Sequence, residues 1–241
     1  RTWLYYTLLK DYLLTKKVAF RDVWINYHIV DESGKKMSKS ERTGIDPKDV
    51  LNKFGAEPFR LWAAVEGNLE KNDFRCNFER VGGAGKTLTK LWNIARFISM
   101  FERPKKKPGL CDLDKFIIQE LGVLIEDARN RFEKYDFHNP IIKIKNFIWE
   151  LFASHYVELI KNRAYNENKK FSKQEQDSAI FTLYYSLDRI LEILAPVNPF
   201  FTYRLYYTLN KKDVHKIEFP RPEKKYKQGF TREELMELNS N

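Results

Sequence analysis

Residues 23–47 read VWINYHIVDESGKKMSKSERTGIDP, and this stretch sets the terms for the rest of the chain. Residues 23–30 are short, β-branched and aromatic, and they end at the turn-forming Asp31-Glu32-Ser33-Gly34, so they predict a buried strand that feeds a loop. The loop gathers Lys35, Lys36, Lys39 and Arg42 around Met37 and Ser38. It stops at Asp46-Pro47, where Asp46 can cap a helix whose first turn holds the proline and Gly55 can close it in the left-handed conformation. A basic loop held between a strand and a helix N-terminus can swing ammonium groups onto nucleotide phosphates. When pyrophosphate leaves, charge grows on its oxygens, and a positioned lysine stabilises that charge more than the ground state.

Upstream, Leu4, Tyr5, Leu8, Leu9, Tyr12 and Leu13 recur at helical spacing and predict a helix over 2–14 with one buried stripe. Downstream, a short helix is expected over 58–65. A Gly- and Asn-containing loop over 67–77 then marks a change of character, with a domain boundary near residues 70–80. Four long helices follow: 78–101, stopped by PKKKPG; 114–134; from after Asn139-Pro140 to 165; and one opened by the capping box Ser172-x-x-Glu175 and bent or split at Pro196 and Pro199. A polar tail carries a short helix after Thr231-x-x-Glu234.

The chain has 43 Lys+Arg against 33 Asp+Glu in 241 residues, so its net charge of +10 favours a polyanionic partner. Its 43% apolar content is ample for a core and argues against disorder. Cys76 and Cys111 are far apart and outside any CxxC spacing, which supports neither a disulfide framework nor a cysteine zinc site and points to a reducing compartment. No apolar run is long enough to span a membrane, and no signal-peptide order opens the chain. It begins at Arg1, without Met and inside a helical pattern, so an upstream part is expected. GGAGKT at 82–87 imitates a phosphate loop, but Arg80 stands where that pattern needs glycine and no strand precedes it, so a helix N-terminal segment is the better reading. His138, His155 and His215 show no metal-ligand spacing, and no metal site is expected.

KMSKS between a strand and I-D-P resembles the signature loop of class I aminoacyl-tRNA synthetases. RTWLYYTLL, D-x-x-G-x-KMSKS, GIDPKDVLNKFGAEPFRLWAA, DFRCNFERV, KLWNIARF, HYVELIKNRAY, LAPVNPF and VHKIEFP are together similar to the valyl branch of class Ia in its archaeal style, over nearly the whole chain. Isoleucyl and leucyl members share parts of this pattern. The fold implied is mainly α: the C-terminal part of a Rossmann-like α/β catalytic domain with the KMSKS loop over 1–76, an α-helical anticodon-binding bundle over 77–218, and a tail over 219–241.

The resemblance implies ATP-dependent activation of valine and its transfer to tRNA, with ATP and Mg2+ at the site. It implies a cytoplasmic monomer that meets tRNA, valine and ATP and does not bind membranes. Lys36 and Lys39 would be catalytic, binding ATP phosphates with Met37, Ser38 and Ser40 shaping the loop, and His28 would approach the adenine. Trp3 would line the amino-acid pocket; a core tryptophan is the alternative reading. Glu41-Arg42-Thr43 replaces the usual Lys-Gly-Asn, and Tyr27 stands where glycine is usual. The HIGH-type half of the ATP site is absent from these residues, so the chain alone is expected to bind RNA without making adenylate.

On the helix reading KLWNIARF, the family's anticodon contacts would fall on Lys90, Asn93 and Phe97, three and four apart, with Arg96 beside them. Cations, an amide and a ring suit unpaired bases, which stack on aromatics and are read at their edges. Leu91, Trp92, Ile94, Ala95 and Phe97 also fit a plain core. Another class Ia specificity, or a non-catalytic tRNA-binding module, remains open beside the valyl reading.

Overall fold

A computed structural model describes residues 2–24, 28–31, 33–37, 45–68, 73–223, 226 and 231–238. Its first helix, α1 (Thr2–Thr15), forms where the spacing predicts, yet it has no buried residue. The expected buried stripe is therefore corrected: Tyr5, Leu9, Tyr12 and Leu13 are exposed, because α1 does not pack into the core formed by the rest of the chain.

The strand expected over 23–30 shortens to β1 (Ile29–Val30), with residues 25–27 outside the described ones. It pairs in parallel with β2 (Phe74–Arg75), Ile29 opposite Phe74 and Val30 opposite Arg75. Only Val30 of the pair's first strand is buried, since two strands cannot cover both faces. Parallel strands need a crossover, here built from α2 (Pro47–Phe54) and α3 (Ala56–Glu66). Asp46 Oδ1 accepts from the Lys48 N–H at 2.9 Å, the cap that was read from sequence. Gly55 differs from the expected left-handed close. Its φ is +81° but its ψ is 173°, a region open essentially to glycine, and there one residue ends α2 and starts α3.

The helices that follow are α4 (Phe78–Ile98), α5 (Asp112–Phe132), α6 (His138–Asn146), a π-helical stretch (Phe147–Tyr156), α7 (Val157–Tyr165), α8 (Lys173–Leu194) and α9 (Pro199–Asn210). Asn77 caps α4 through Oδ1, and Ser172 with Glu175 forms the expected capping box on α8. The third long helix is continuous but carries ten residues of π-helix in its middle, a feature that helical periodicity alone does not reveal. A 3-10 turn (Val214–Lys216) and α10 (Arg232–Leu238) complete the chain, α10 opening on a reciprocal pair of hydrogen bonds between Thr231 and Glu234.

One core runs from Val50, Leu61 and Trp62 through α4 and the long helices to Val214. Polar ties cross the same junction. Arg60 Nε donates to Val197 O at 2.7 Å, Asn198 Nδ2 donates to Glu57 O at 2.9 Å, and the His138 ring Nδ1 lies 3.0 Å from Ala64 O, which can only accept. The helices after the basic loop thus share their packing with the bundle that follows. Inside it, Asp114 at the start of α5 is fully buried and accepts from Tyr156, Arg163 and Ser178, which joins α5 to the π-helical stretch, α7 and α8.

Candidate nucleotide and nucleic-acid sites

The basic loop is built on a tight turn. Asp31 Oδ1 accepts from Ser33 Oγ at 2.6 Å and from the Lys35 N–H at 2.8 Å, and these bonds hold its carboxyl below the usual range. Gly34 sits at φ +85°, as a residue in that turn must. Lys36 bridges back to Val30 and exposes its side chain. Met37 packs against the core, and its Sδ accepts from the Ile45 N–H at 3.4 Å, which joins residues 37 and 45. Ser38, Lys39 and Ser40 lie outside the described residues, as do Tyr27, Glu41, Arg42 and Thr43.

His28 donates its backbone N–H to Asp73 Oδ1 at 2.7 Å, and its ring Nδ1 lies 3.9 Å from the same oxygen. Asp73, unmarked in the sequence reading, therefore positions the strand end; it is 45 residues away in sequence, and no local pattern signals such a pairing. Trp3 is 76% exposed on α1, and among the described residues no hydrogen bond or ring contact joins it to His28 or Lys36. Its side chain is not a core tryptophan here.

On α4 the four candidate residues divide. Leu91, Ile94 and Ala95 are buried, as a core reading requires. Asn93 and Arg96 lie on the exposed face together with Trp92, 46% exposed. Trp92, which also fitted a plain core, is therefore on the exposed face instead, four before Arg96 and adjacent to Asn93. Lys90 lies on the flank that faces the third long helix, its Nζ 5.6 Å from the Trp149 ring centre, where Trp149 Nε1 donates to Thr87 Oγ1 at 3.0 Å. Phe97, two turns further along the same flank, meets Phe101 and Tyr165 edge to face at 5.1 and 5.9 Å.

GGAGKT lies inside the first turns of α4. Gly82 and Gly85 face α2 and α3, where an added Cβ would meet Phe54 at 3.4 Å and Pro58 at 3.6 Å in ordinary van der Waals contact, so these glycines sit inside a helix against protein side chains. Arg80 is ion-paired to Glu66 at 2.6 Å, and Lys107 is held by Glu223 and Tyr226. Among the described residues no group of three or more His, Cys, Asp or Glu could hold a metal, and no helix is long and apolar enough to cross a membrane.

Comparison with known proteins supplies the frame for this geometry. Residues 1–75 match the model for class I tRNA synthetases of the I, L, M and V group, and residues 114–241 match the model for the anticodon-binding domain of tRNA ligases. The valine–tRNA ligase of Pyrobaculum aerophilum is 39% identical over 95% of this chain and 28% of its own length. That of Aeropyrum pernix is 39% identical over 99% and 28%, and that of Nanoarchaeum equitans 37% over 90% and 27%. The chain thus spans little more than a quarter of these relatives. A solved ternary complex of an Agrobacterium radiobacter K84 LeuRS with tRNA and LeuAMS shares the fold, with a TM-score of 0.64 at 17% identity over 90% of this chain and 27% of that one. Over half of its residues lie within the matched segment 114–241, and the protein belongs to the family of tRNA ligase anticodon-binding domains.

Proposed function

We propose that the chain is the KMSKS and anticodon-binding portion of a valine–tRNA ligase, which activates valine with ATP and transfers it to tRNA. The observation that carries this reading is the similarity to archaeal valine–tRNA ligases along nearly the whole chain, from the α1 segment to the tail. Because the chain spans about 28% of those relatives, the complete reaction belongs to a longer protein. Residues 1–76 form the end of a Rossmann-like catalytic domain, 77–218 the anticodon-binding bundle and 219–241 a tail, in a cytoplasmic monomer.

In this reading Lys36 and Lys39 hold the ATP phosphates, with magnesium sharing their charge, while Met37, Ser38 and Ser40 shape the loop. His28 approaches the adenine. Trp3, exposed on α1, becomes a wall of the valine pocket once further chain covers that helix. Asn93 and Arg96 read the anticodon, with Trp92 beside them as a stacking surface and Lys90 and Phe97 bounding the face along one flank.

The test is binding of the chain to tRNA transcripts bearing valine, isoleucine and scrambled anticodons across a salt series. Preference for the valine anticodon is expected above a salt slope of about 0.7 to 0.9 per phosphate contact. Equal, salt-sensitive binding to all three overturns the anticodon assignment.

A further inference from the structure

Phe97 does not end the aromatic surface on the α4 side. Its ring meets Tyr165, the last residue of α7, whose hydroxyl lies 3.9 Å from Met100 Sδ and which stays 39% exposed. Beyond Tyr165 the chain folds into a short polar pocket of about 340 Å³, between α7 and α8. Two residues with positive φ, Asn166 and Lys169, make that turn, and Asn166 fastens it by exchanging hydrogen bonds with Phe171 at 2.8 and 3.0 Å. The turn is therefore built rather than loose, and it lies within the segment that matches the anticodon-binding domain, whereas α4 lies between the two matched segments.

The lining has the chemistry of a base site. Tyr165 supplies a ring, and Asn162 and Asn168 supply two amides whose side chains make no hydrogen bond among the described residues. An amide both donates and accepts, as a base edge does. Glu167 also lines the pocket and repels phosphate, so a base rather than the backbone enters, preferably one with an exocyclic amine that the carboxylate can accept from. Cations stand at the rim: Lys170 lines the pocket and Lys169 is exposed next to it.

We propose that this turn is a second base subsite, in which one unpaired nucleotide of the anticodon loop stacks on Tyr165, is read by Asn162 and Asn168, and leaves its phosphate with Lys170. The subsite rests on the anticodon-binding reading and extends the recognition surface from α4 across Phe97 onto a different helix. Its chemistry discriminates between bases, since an edge that mismatches the two amides leaves them unpaired.

The experiment is a double-mutant cycle with the 241-residue chain. Asn162→Ala, Asn168→Ala and Lys170→Ala, all exposed positions, are bound to valine-anticodon tRNA and to transcripts altered at single anticodon-loop positions, with circular dichroism confirming each fold. The amide variants are expected to lose about tenfold in affinity and to become indifferent to base identity at one loop position, while discrimination at the others persists. Lys170→Ala is expected to lower affinity for all transcripts alike and to reduce the salt slope by about one. If the parent chain discriminates and the amide variants do so equally at every position, the subsite is overturned alone. If the parent chain is indifferent to the anticodon, the underlying reading and the subsite fall together.

Discussion

The Ile45 N–H donates to Met37 Sδ at 3.4 Å, and both side chains rest against the core, so the two ends of the basic loop are pinned together. Residues 38–44 between them lie outside the described residues, and Lys39 is two positions after Met37 in the sequence. A pinned base lets a lysine reach a leaving phosphate without displacing the sheet or α2. In the full-length ligase, Lys39→Ala is expected to lower valine-dependent pyrophosphate exchange by about 10²- to 10³-fold, the scale on which positioned donors act on developing charge. Affinity for tRNA should stay within about twofold. Equal losses in both would remove the assigned role.

The exposed face of α4 makes a separate claim. Trp92→Ala removes a stacking surface, which is worth about 1 to 3 kcal/mol per base, so tRNA affinity should fall by about tenfold. Arg96→Ala should weaken the valine anticodon more than a scrambled one. Leu91, Ile94 and Ala95 beneath them are buried, so neither substitution opens the core, and melting temperature should hold within a few degrees. Unchanged discrimination by the Arg96 variant would make that residue structural.

What was legible in the sequence divides by range. Asp46 with Lys48, Ser172 with Glu175, and Thr231 with Glu234 were readable because each cap and its partner lie within three residues. Phe97 could be assigned only in part from its own segment: Phe101 is four residues away, but the other ring it meets is Tyr165, on α7. Asp73 under His28, and Asp114 with its partners on three other segments, are likewise long-range and leave no periodic trace. The stripe on α1 misled in the opposite sense: the pattern was real, but no described neighbour covers it.

Asp114 makes a stability prediction. Its carboxylate is fully buried, accepts from the Tyr156 hydroxyl at 2.7 Å and pairs with Arg163, which is itself largely buried. Burial and the adjacent carboxylate push the Tyr156 phenol well above its usual range, so it remains a donor at any working pH. Asp114→Ala leaves the Arg163 charge without its partner and should cost about 3 to 5 kcal/mol in urea denaturation. Asp114→Asn, which keeps an acceptor, should cost less. A loss below about 1 kcal/mol for the alanine variant would show that the four segments are held by apolar packing alone.

Glu192 on α8 makes a pH prediction of the opposite character. Both of its donors reach Oε1, Arg189 Nη2 at 2.6 Å and the Tyr206 hydroxyl at 3.1 Å, while Oε2 is buried with no hydrogen-bond partner among the described residues. Burial pushes the carboxyl up to about 7; Arg189, Tyr206 and Arg103 oppose that shift and Asp188 reinforces it. A carboxyl with a raised folded value favours the neutral form, so its contribution to stability is full below about 4.5 and is lost as pH rises through about 7. Those values differ by about 2.5 pKa units, or about 3 kcal/mol at 1.36 kcal/mol per unit. Glu192→Gln keeps the shape without the titration. Urea denaturation at pH 5, 6, 7 and 8 should therefore show the parent chain losing stability relative to the glutamine variant by up to that amount as pH rises. Parallel curves for the two would mean that the Arg189 pairing keeps Glu192 ionised throughout, and that its second oxygen is satisfied in solution.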